Sequence, residues 1–480
     1  MPAEPVVTQE RLARSSRADW ATPGVIVGSL RAADMLAIGL SAAVAGTFAP
    51  ATTAAAPVIA TLLALLFVPA LFDLLEVYRY ERLVELDFTV VRAAVGWTFV
   101  AMALVTIGYA SGTLAAVPRL QAALFYGGGL AGLLGTRLVA GLLVAHWQRS
   151  GRLVRNVVVV GAGELGQRLV RHLHRHGEGV RLIGLFDDRR DRVPDYVAGY
   201  PVLGTLDDLV VFARDHPVDL VLVALPFGAQ LRIREWLRKL RAIPADVRLC
   251  PDIPDFALEQ RGVSHIAGVP VLHIYDRPLA GWNAILKALE DRLLAAAVLL
   301  LVAPLMAVIA LLVKLDSPGP VFYRQKRWGF GGKPIEILKF RTMYVECCDD
   351  GESGPVPQAR RGDPRITRVG RWLRRYSLDE LPQFWNVLRG EMSIVGPRPH
   401  AVAHNEMYAR LIGDYLARHR VKPGITGWAQ INGLRGETRH LEAMHRRVQY
   451  DLYYVENWSL LFDLKIILRT LIVGFRDPDA

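Results

Sequence analysis

The sequence predicts a membrane protein of mixed α and α/β class. Its expected parts are a four-helix transmembrane bundle, a Rossmann-like doubly wound domain, and a basic C-terminal domain entered through a re-entrant membrane helix. Three observations predict this. No charge interrupts Met35 to Phe72; a glycine-rich turn, Gly161-x-Gly163-x-x-Gly166, follows a run of valines; and an uncharged stretch, Leu293 to Val313, has cations on both flanks and Pro304 at its middle. A hydrophobic fraction of 52% and a mean hydropathy of +0.25 point the same way. The expected boundaries are an N-terminal cytoplasmic tail over 1–30, four spans over 31–148, the Rossmann-like domain over 149–280, the re-entrant helix over 281–316, and the C-terminal domain over 317–480.

The run from Met35 to Phe72 is too long for one crossing of a hydrocarbon core about 30 Å thick, so it reads as two spans with a turn near Pro50 to Pro57. A second pair reads as Phe88 to Ala110 and Leu120 to Leu143, with Arg137 placed to reach the far interface. Orientation follows the arginines. Arg11, Arg14, Arg17, Arg79, Arg82, Arg149, Arg152 and Arg155 flank one side, and only Arg119 the other, so everything after residue 150 is expected in the cytoplasm. The N-terminus lacks a cleavable-signal pattern.

Beyond the spans, Val157–Val160, Leu182–Phe186 and Leu220–Ala224 read as buried parallel strands. Gly161, Gly163 and Gly166 sit where a strand meets a helix, and Asp187 and Asp188 end the next strand. This is the context of a nucleotide-binding turn, although the glycines could equally serve the tight turn alone. In 281–316, Pro304 should break or bend the helix, and basic flanks on both sides favour a return to the same face over a fifth crossing.

The net charge of +11 favours anionic partners, such as phosphorylated substrates or an anionic leaflet. Three cysteines, Cys250, Cys347 and Cys348, without CxxC or HExxH, argue against a disulfide framework or a zinc site. The densest chemical signal is Arg371-Trp-Leu-Arg374-Arg375-Tyr-Ser377-Leu-Asp379-Glu380. Adjacent carboxylates behind arginines suit phosphoryl chemistry, with one carboxylate as nucleophile and cations neutralising the phosphate oxygens. Ser377 and Glu380 also have the spacing of a capping box, and Asp379 could itself cap the helix; for this peptide alone capping is the better reading. The surroundings reverse that. Lys339-Phe-Arg341, the stiff turn Gly396-Pro-Arg398-Pro, and the loop from Lys422 to Arg435 gather anion-suited groups in one domain.

Over Lys314 to Phe475 these residues resemble the bacterial sugar transferase family, the monotopic phosphoglycosyl transferases. The motifs are SPGPVFYRQKRWG (317–329), KFRTM (339–343), SLDELPQFWNVLRGEMSIVGPRP (377–399) and KPGITGWAQING (422–433). Four spans, the Rossmann-like domain and a re-entrant helix resemble the family's long form, and 436–466 looks most like its undecaprenyl-phosphate glucose branch. The resemblance implies a re-entrant-helix monotopic catalytic domain on the cytoplasmic face of the bacterial inner membrane. Its expected reaction opens exopolysaccharide, capsule or O-antigen synthesis: Asp379 attacks the β-phosphate of a UDP-sugar, releases UMP, and passes the phosphosugar to undecaprenyl phosphate. Glu380 would be the acidic partner. Mg²⁺ would be held by Asp379 and the phosphates, and Lys339, Arg341, Arg374, Arg398 and Arg435 would contact phosphate and uridine. Galactose is the alternative sugar. Expected partners are the UDP-sugar, the lipid phosphate and the bilayer, without nucleic acid; a homodimer is compatible. Ala303 departs from the family, which often has serine before the proline. The run Trp458 to Phe475 reads as an interfacial amphipathic helix, or nearly as well as a buried one.

Two rival classes make different demands. A membrane nucleotide-sugar dehydratase would need Tyr-x-x-x-Lys, and no tyrosine here has a lysine four residues on. A non-enzymatic sensor would reduce Asp379 and Glu380 to capping residues.

Overall fold

A computed structural model describes residues 22–48, 55–177, 179–251, 264–266, 269–347, 363–400, 402–434 and 441–473. The chain divides into a unit of residues 17–154 and a larger one holding 155–480.

The first unit is four helices, α1 (Pro23–Gly46), α2 (Ala55–Leu74), α3 (Leu86–Ala110) and α4 (Arg119–Arg149), each long and apolar enough to cross a membrane. The first begins inside the expected 1–30 tail. Thr22 caps it, its Oγ1 accepting from the Val25 amide, and Pro23 fills the first helical position, where a missing N–H costs nothing. Small residues bring α1 and α4 together. A Cβ on Gly132 would lie 2.8 Å from that of Ala37, and one on Gly128 2.7 Å from the Ser41 hydroxyl. Arg137, expected to lie near the far interface, turns its side chain into the bundle. Its guanidinium is fully buried in the bundle and makes two 2.8 Å hydrogen bonds to the Asp34 carboxylate. Tyr78 and Thr136 donate to the same carboxylate at 2.7 Å.

The larger unit opens with the doubly wound domain. Its strands are β1 (Arg155–Val160), β2 (Val180–Phe186), β3 (Tyr196–Val197), β4 (Tyr200–Gly204), β5 (Leu220–Val223), β6 (Asp246–Leu249), β7 (Ser264–Ile266) and β8 (Val269–Tyr275). They order as β3-β4-β2-β1-β5-β6-β8-β7, parallel from β4 through β6 and antiparallel at both edges. Helices α5 (Glu164–His176), α6 (Leu206–Asp215) and α7 (Gln230–Leu240) connect them. In β1, Val157 and Val159 enter one core cluster while Val158 and Val160 enter another, because strand side chains alternate and both faces are covered. Gly161 sits at φ +104°, and a Cβ on Gly166 would lie 1.9 Å from the Gly161 carbonyl oxygen. Gly163 is open by comparison, its nearest neighbour being Arg189 Nη2 at 3.7 Å. We therefore expect Gly166→Ala to cost about 1–3 kcal/mol and Gly163→Ala almost nothing, as thermal unfolding of the two variants would report.

Next comes α8 (Trp282–Asp316), a single helix of 35 residues. Pro304 lies inside it without breaking it. At about 52 Å the helix is far longer than a hydrocarbon core of about 30 Å. Its two ends pack on the same C-terminal domain. Ala295 joins a core with Ile337 and Val387, while Ile309 and Val313 join Phe340 and Leu373. Between them Leu300 and Leu301 are 81% exposed.

The C-terminal domain contains the antiparallel hairpin β9 (Phe322–Trp328) and β10 (Pro334–Phe340), helices α9 (Arg368–Arg375) and α10 (Gln383–Leu388), and β11 (Ser393–Val395). It continues through α11 (Val402–Leu411), β12 (Gly424–Thr426), α12 (Trp428–Ile431), α13 (Leu441–Glu456) and α14 (Leu460–Val473). A buried charged cluster joins the root of α8 to α14. Lys287 Nζ lies 2.6 Å from Asp463 and 3.1 Å from Asp291. Asp291 accepts in turn from the Ser393 hydroxyl and the Ile394 amide, both at 2.9 Å. On α14, Leu461, Leu468, Leu471 and Ile472 are exposed while Asp463 and Ile466 are buried.

Candidate functional site

The site forms where β10, the turn after α9 and the turn after β11 converge. Gly370 lets α9 lie directly on the chain after β10, since a Cβ there would be 2.1 Å from the Thr342 carbonyl oxygen. That approach lets Arg374 Nε donate to Thr342 Oγ1 at 2.8 Å. The chain then reverses through Ser377, whose φ of +54° is uncommon for a residue with a side chain. A one-turn 3₁₀ segment, Leu378–Glu380, follows, and α10 begins only at Gln383. The helix expected to start at the carboxylates is therefore split. Ser377 makes no side-chain cap, so the capping box is not formed.

The two neighbouring carboxylates, both nearly buried, are treated differently. Glu380 Oε1 accepts from Lys339 Nζ at 2.9 Å and from Arg398 Nη2 at 2.7 Å, and its Oε2 is 3.3 Å from Arg398 Nη1. The carboxylate of Asp379, 9% exposed, accepts no hydrogen bond and enters no ion pair among the described residues. Burial raises the Asp379 carboxyl above the usual aspartate range, and the charge of Glu380 adds to this; Lys339, Arg374 and Arg398 oppose it without cancelling it. A carboxyl whose folded pKa is raised destabilises the fold as pH climbs from its unfolded value, about 4, to the folded one. In metal-free buffer, Asp379→Asn should thus gain stability over the parent across that window and hold the gain above it. Thermal midpoints at a series of pH values would check this.

Arg398 is positioned by glycines that permit backbone-to-backbone packing. The Gly396 amide donates to the Thr426 carbonyl at 2.9 Å and the Gly424 amide to the Pro397 carbonyl at 3.0 Å. A Cβ on Gly424 would come within 2.1 Å of the Gly396 nitrogen. Behind the turn, buried Arg418 donates to the Arg398 carbonyl at 2.7 Å and pairs with Asp451 at 2.7 Å. Residues 418 and 451 carry no local sequence signal; only their burial identifies them. Asn386 plays a similar part under β10, its side-chain oxygen accepting from the Leu338 amide and its nitrogen donating to the Glu336 carbonyl.

Of the expected phosphate contacts, Lys339, Arg374 and Arg398 surround the two carboxylates. Arg341 does not join them. It follows β10 rather than sharing its face, is 2% exposed, and spends its guanidinium on the carbonyls of Ser317 and Pro318, where α8 ends. Arg435 lies outside the described residues. Among the described residues no three His, Cys, Asp or Glu side chains gather to hold a metal ion unaided. The free oxygens of Asp379 still suit Mg²⁺, which commonly takes one or two carboxylates and completes its shell with substrate phosphates and water.

The glycine turn of the doubly wound domain is partly self-occupied. The Ala162 amide donates to Asp187 Oδ2 at 2.9 Å and the Arg189 amide to Oδ1 at 2.9 Å. Asp187 is fully buried. Burial opposes its charge, yet these amides and the Arg189 guanidinium hold its carboxyl below the ordinary value. Asp188 is committed to the Leu206 amide and the Trp236 indole.

Comparison with known proteins gives two family matches: bacterial sugar transferase over residues 282–477 and CoA-binding domain over 73–251. A UDP-glucose:undecaprenyl-phosphate glucose-1-phosphate transferase of Xanthomonas campestris pv. campestris is 40% identical over 431 residues, 89% of this chain and 88% of that one. A protein of the same name from Escherichia coli (strain K12) is 46% identical over 338 residues, 70% of this chain and 71% of its own length. A UDP-N-acetylgalactosamine-undecaprenyl-phosphate N-acetylgalactosaminephosphotransferase of Aeromonas hydrophila is 37% identical over 231 residues, 46% of this chain and 53% of that one.

Proposed function

The chain belongs to the bacterial sugar transferase family, and from that membership we propose that it transfers glucose 1-phosphate from UDP-glucose to undecaprenyl phosphate, releasing UMP. One observation carries the mechanism: Glu380 is held by Lys339 and Arg398, while the adjacent Asp379 carboxylate is left without a hydrogen bond among the described residues.

In the first half-reaction an Asp379 oxygen attacks the β-phosphorus of the donor, and the bond from that phosphorus to the bridging oxygen breaks. UMP leaves with the electron pair, and an acyl-phosphate to the sugar remains on Asp379. In the second, a phosphate oxygen of undecaprenyl phosphate attacks the same phosphorus and the carboxylate departs unchanged. Arg374 and Arg398 offset the charge that accumulates on the transferring phosphate. Lys339 and Arg398 engage the Glu380 carboxylate through hydrogen bonds. Asp379 and the donor phosphates would hold Mg²⁺, which supplies further neutralisation when bound.

Placement at the bilayer rests on α8. Packing of both its halves on one domain, with leucines exposed between, supports a helix that dips into the membrane and returns. The basic loops support a cytoplasmic catalytic domain. A C-terminal reporter active only in the cytoplasm should give signal; signal from a periplasm-only reporter would overturn this topology. Purified protein with Mg²⁺, undecaprenyl phosphate and a panel of UDP-sugars should release UMP with UDP-glucose. Activity with UDP-galactose or UDP-N-acetylgalactosamine but not UDP-glucose would overturn the choice of sugar.

A further inference from the structure

We propose that Arg447, on α13, is a binding residue for the diphosphate of the nucleotide-sugar donor, completing from the far side the cationic wall that Arg398 begins. This rests on the function proposed above.

Arg447 is 4% exposed, and its Nε and Nη2 have no hydrogen-bond partner. It forms no ion pair among the described residues. Buried guanidinium groups are ordinarily paired, because removing such a charge from water uncompensated is costly. Asp451, one turn further along α13, is the carboxylate nearest in sequence, but Arg418 has taken it at 2.7 Å. Among the described residues the other side chains of this cluster, His400 and Tyr415, supply no negative charge. His400 accepts from Arg418 and shares a 2.6 Å hydrogen bond with the Tyr415 hydroxyl; burial and the neighbouring arginines keep the imidazole neutral. Burial also holds the Tyr415 hydroxyl protonated. Arg418, Arg447 and Arg398 thus share a region whose committed carboxylates are Asp451 and Glu380. Burial pushes the Arg447 guanidinium down to about 10, with Arg418 and Arg398 adding and the charge of Asp451 opposing, so it stays charged at neutral pH.

A buried guanidinium that must share its one carboxylate, Asp451, with Arg418 among the described residues has spare charge, and an anion that arrives with the substrate accounts for it. Arginine suits that role, since its planar fork of donors matches phosphate oxygens. The position also fits. Arg418 donates to the Arg398 carbonyl, so one layer of side chains separates α13 from the turn whose guanidinium meets Glu380.

Arg447→Met, in the full-length protein in detergent or nanodiscs, separates the explanations because it keeps the volume and removes the charge. We expect the ligand-free variant to melt at or above the parent temperature. Stabilisation by added UDP should shrink, the KM for UDP-glucose should rise roughly 10- to 100-fold, and the KM for undecaprenyl phosphate should hold. A lower ligand-free melting temperature with unchanged UDP affinity would make Arg447 a structural counter-ion and overturn the proposal. A rise confined to the acceptor KM would assign the site to the lipid phosphate and overturn it equally. If the methionine variant is both less stable and weaker in UDP binding, Arg447→Lys decides. Weak UDP binding at parental stability supports the proposal, and recovery of both refutes it. Parent protein that binds UDP but turns over no UDP-glucose would count against the sugar assignment alone, since the UDP measurements stand without it.

Discussion

Asp379→Asn should lower UMP release by at least about 10³-fold while leaving the protein folded. The size follows from the role: an amide cannot form the acyl-phosphate, so the substitution removes a step rather than weakening a contact. The survival of the fold follows from the geometry. Among the described residues the Asp379 carboxylate accepts no hydrogen bond and caps no helix, so little is lost when one oxygen becomes nitrogen. A covalent intermediate also predicts that labelled sugar from UDP-glucose, supplied without lipid acceptor, is trapped on the parent and absent from the variant. Undiminished UMP release by Asp379→Asn would refute covalent catalysis at this position, and Glu380 would inherit the question.

The second large effect is expected far from the chemistry, inside the first unit. Asp34→Ala strands the Arg137 guanidinium without a carboxylate, leaving it the Thr136 hydroxyl at 3.1 Å and the rings of Phe72 and Tyr78. Removing one member of a buried pair typically costs about 3–5 kcal/mol, chiefly because the other charge is left uncompensated. Thermal unfolding of purified protein in detergent should register the loss. Replacing both residues with apolar ones of similar volume, Asp34→Leu with Arg137→Met, should recover most of it, since the pair carries its own desolvation cost. If the double variant is as unstable as the single one, the hydrogen bonds from Tyr78 and Thr136 matter more than the charge.

Much of the architecture was legible because the forces involved are local or periodic. A stretch free of charge cannot tolerate water on every side, so Met35 to Phe72 announced apolar helices, and α1 and α2 are long and apolar enough to cross a membrane. Valines alternating between two clusters announced a strand covered on both faces. The phosphoryl-transfer motifs were legible because chemistry on an anion needs particular residue types close together. Charge read one residue at a time misled. Arg137 looked like a residue placed for the far interface, yet its guanidinium is buried against the Asp34 carboxylate. Arg341 looked like a second cation beside Lys339, but it ties down the end of α8.

The amino-acid order alone determined which segments are apolar, which turns need glycine, and which residues could act on a phosphate. Those properties belong to single side chains and their near neighbours. Tertiary structure decided how the charges are shared: Glu380 to Lys339 and Arg398, Asp451 to Arg418, Asp463 to Lys287, and Asp379 to none of them. Partners dozens of residues apart in the chain are chosen by packing. In a buried, weakly screened setting that choice determines which carboxylate is paired and which is left available.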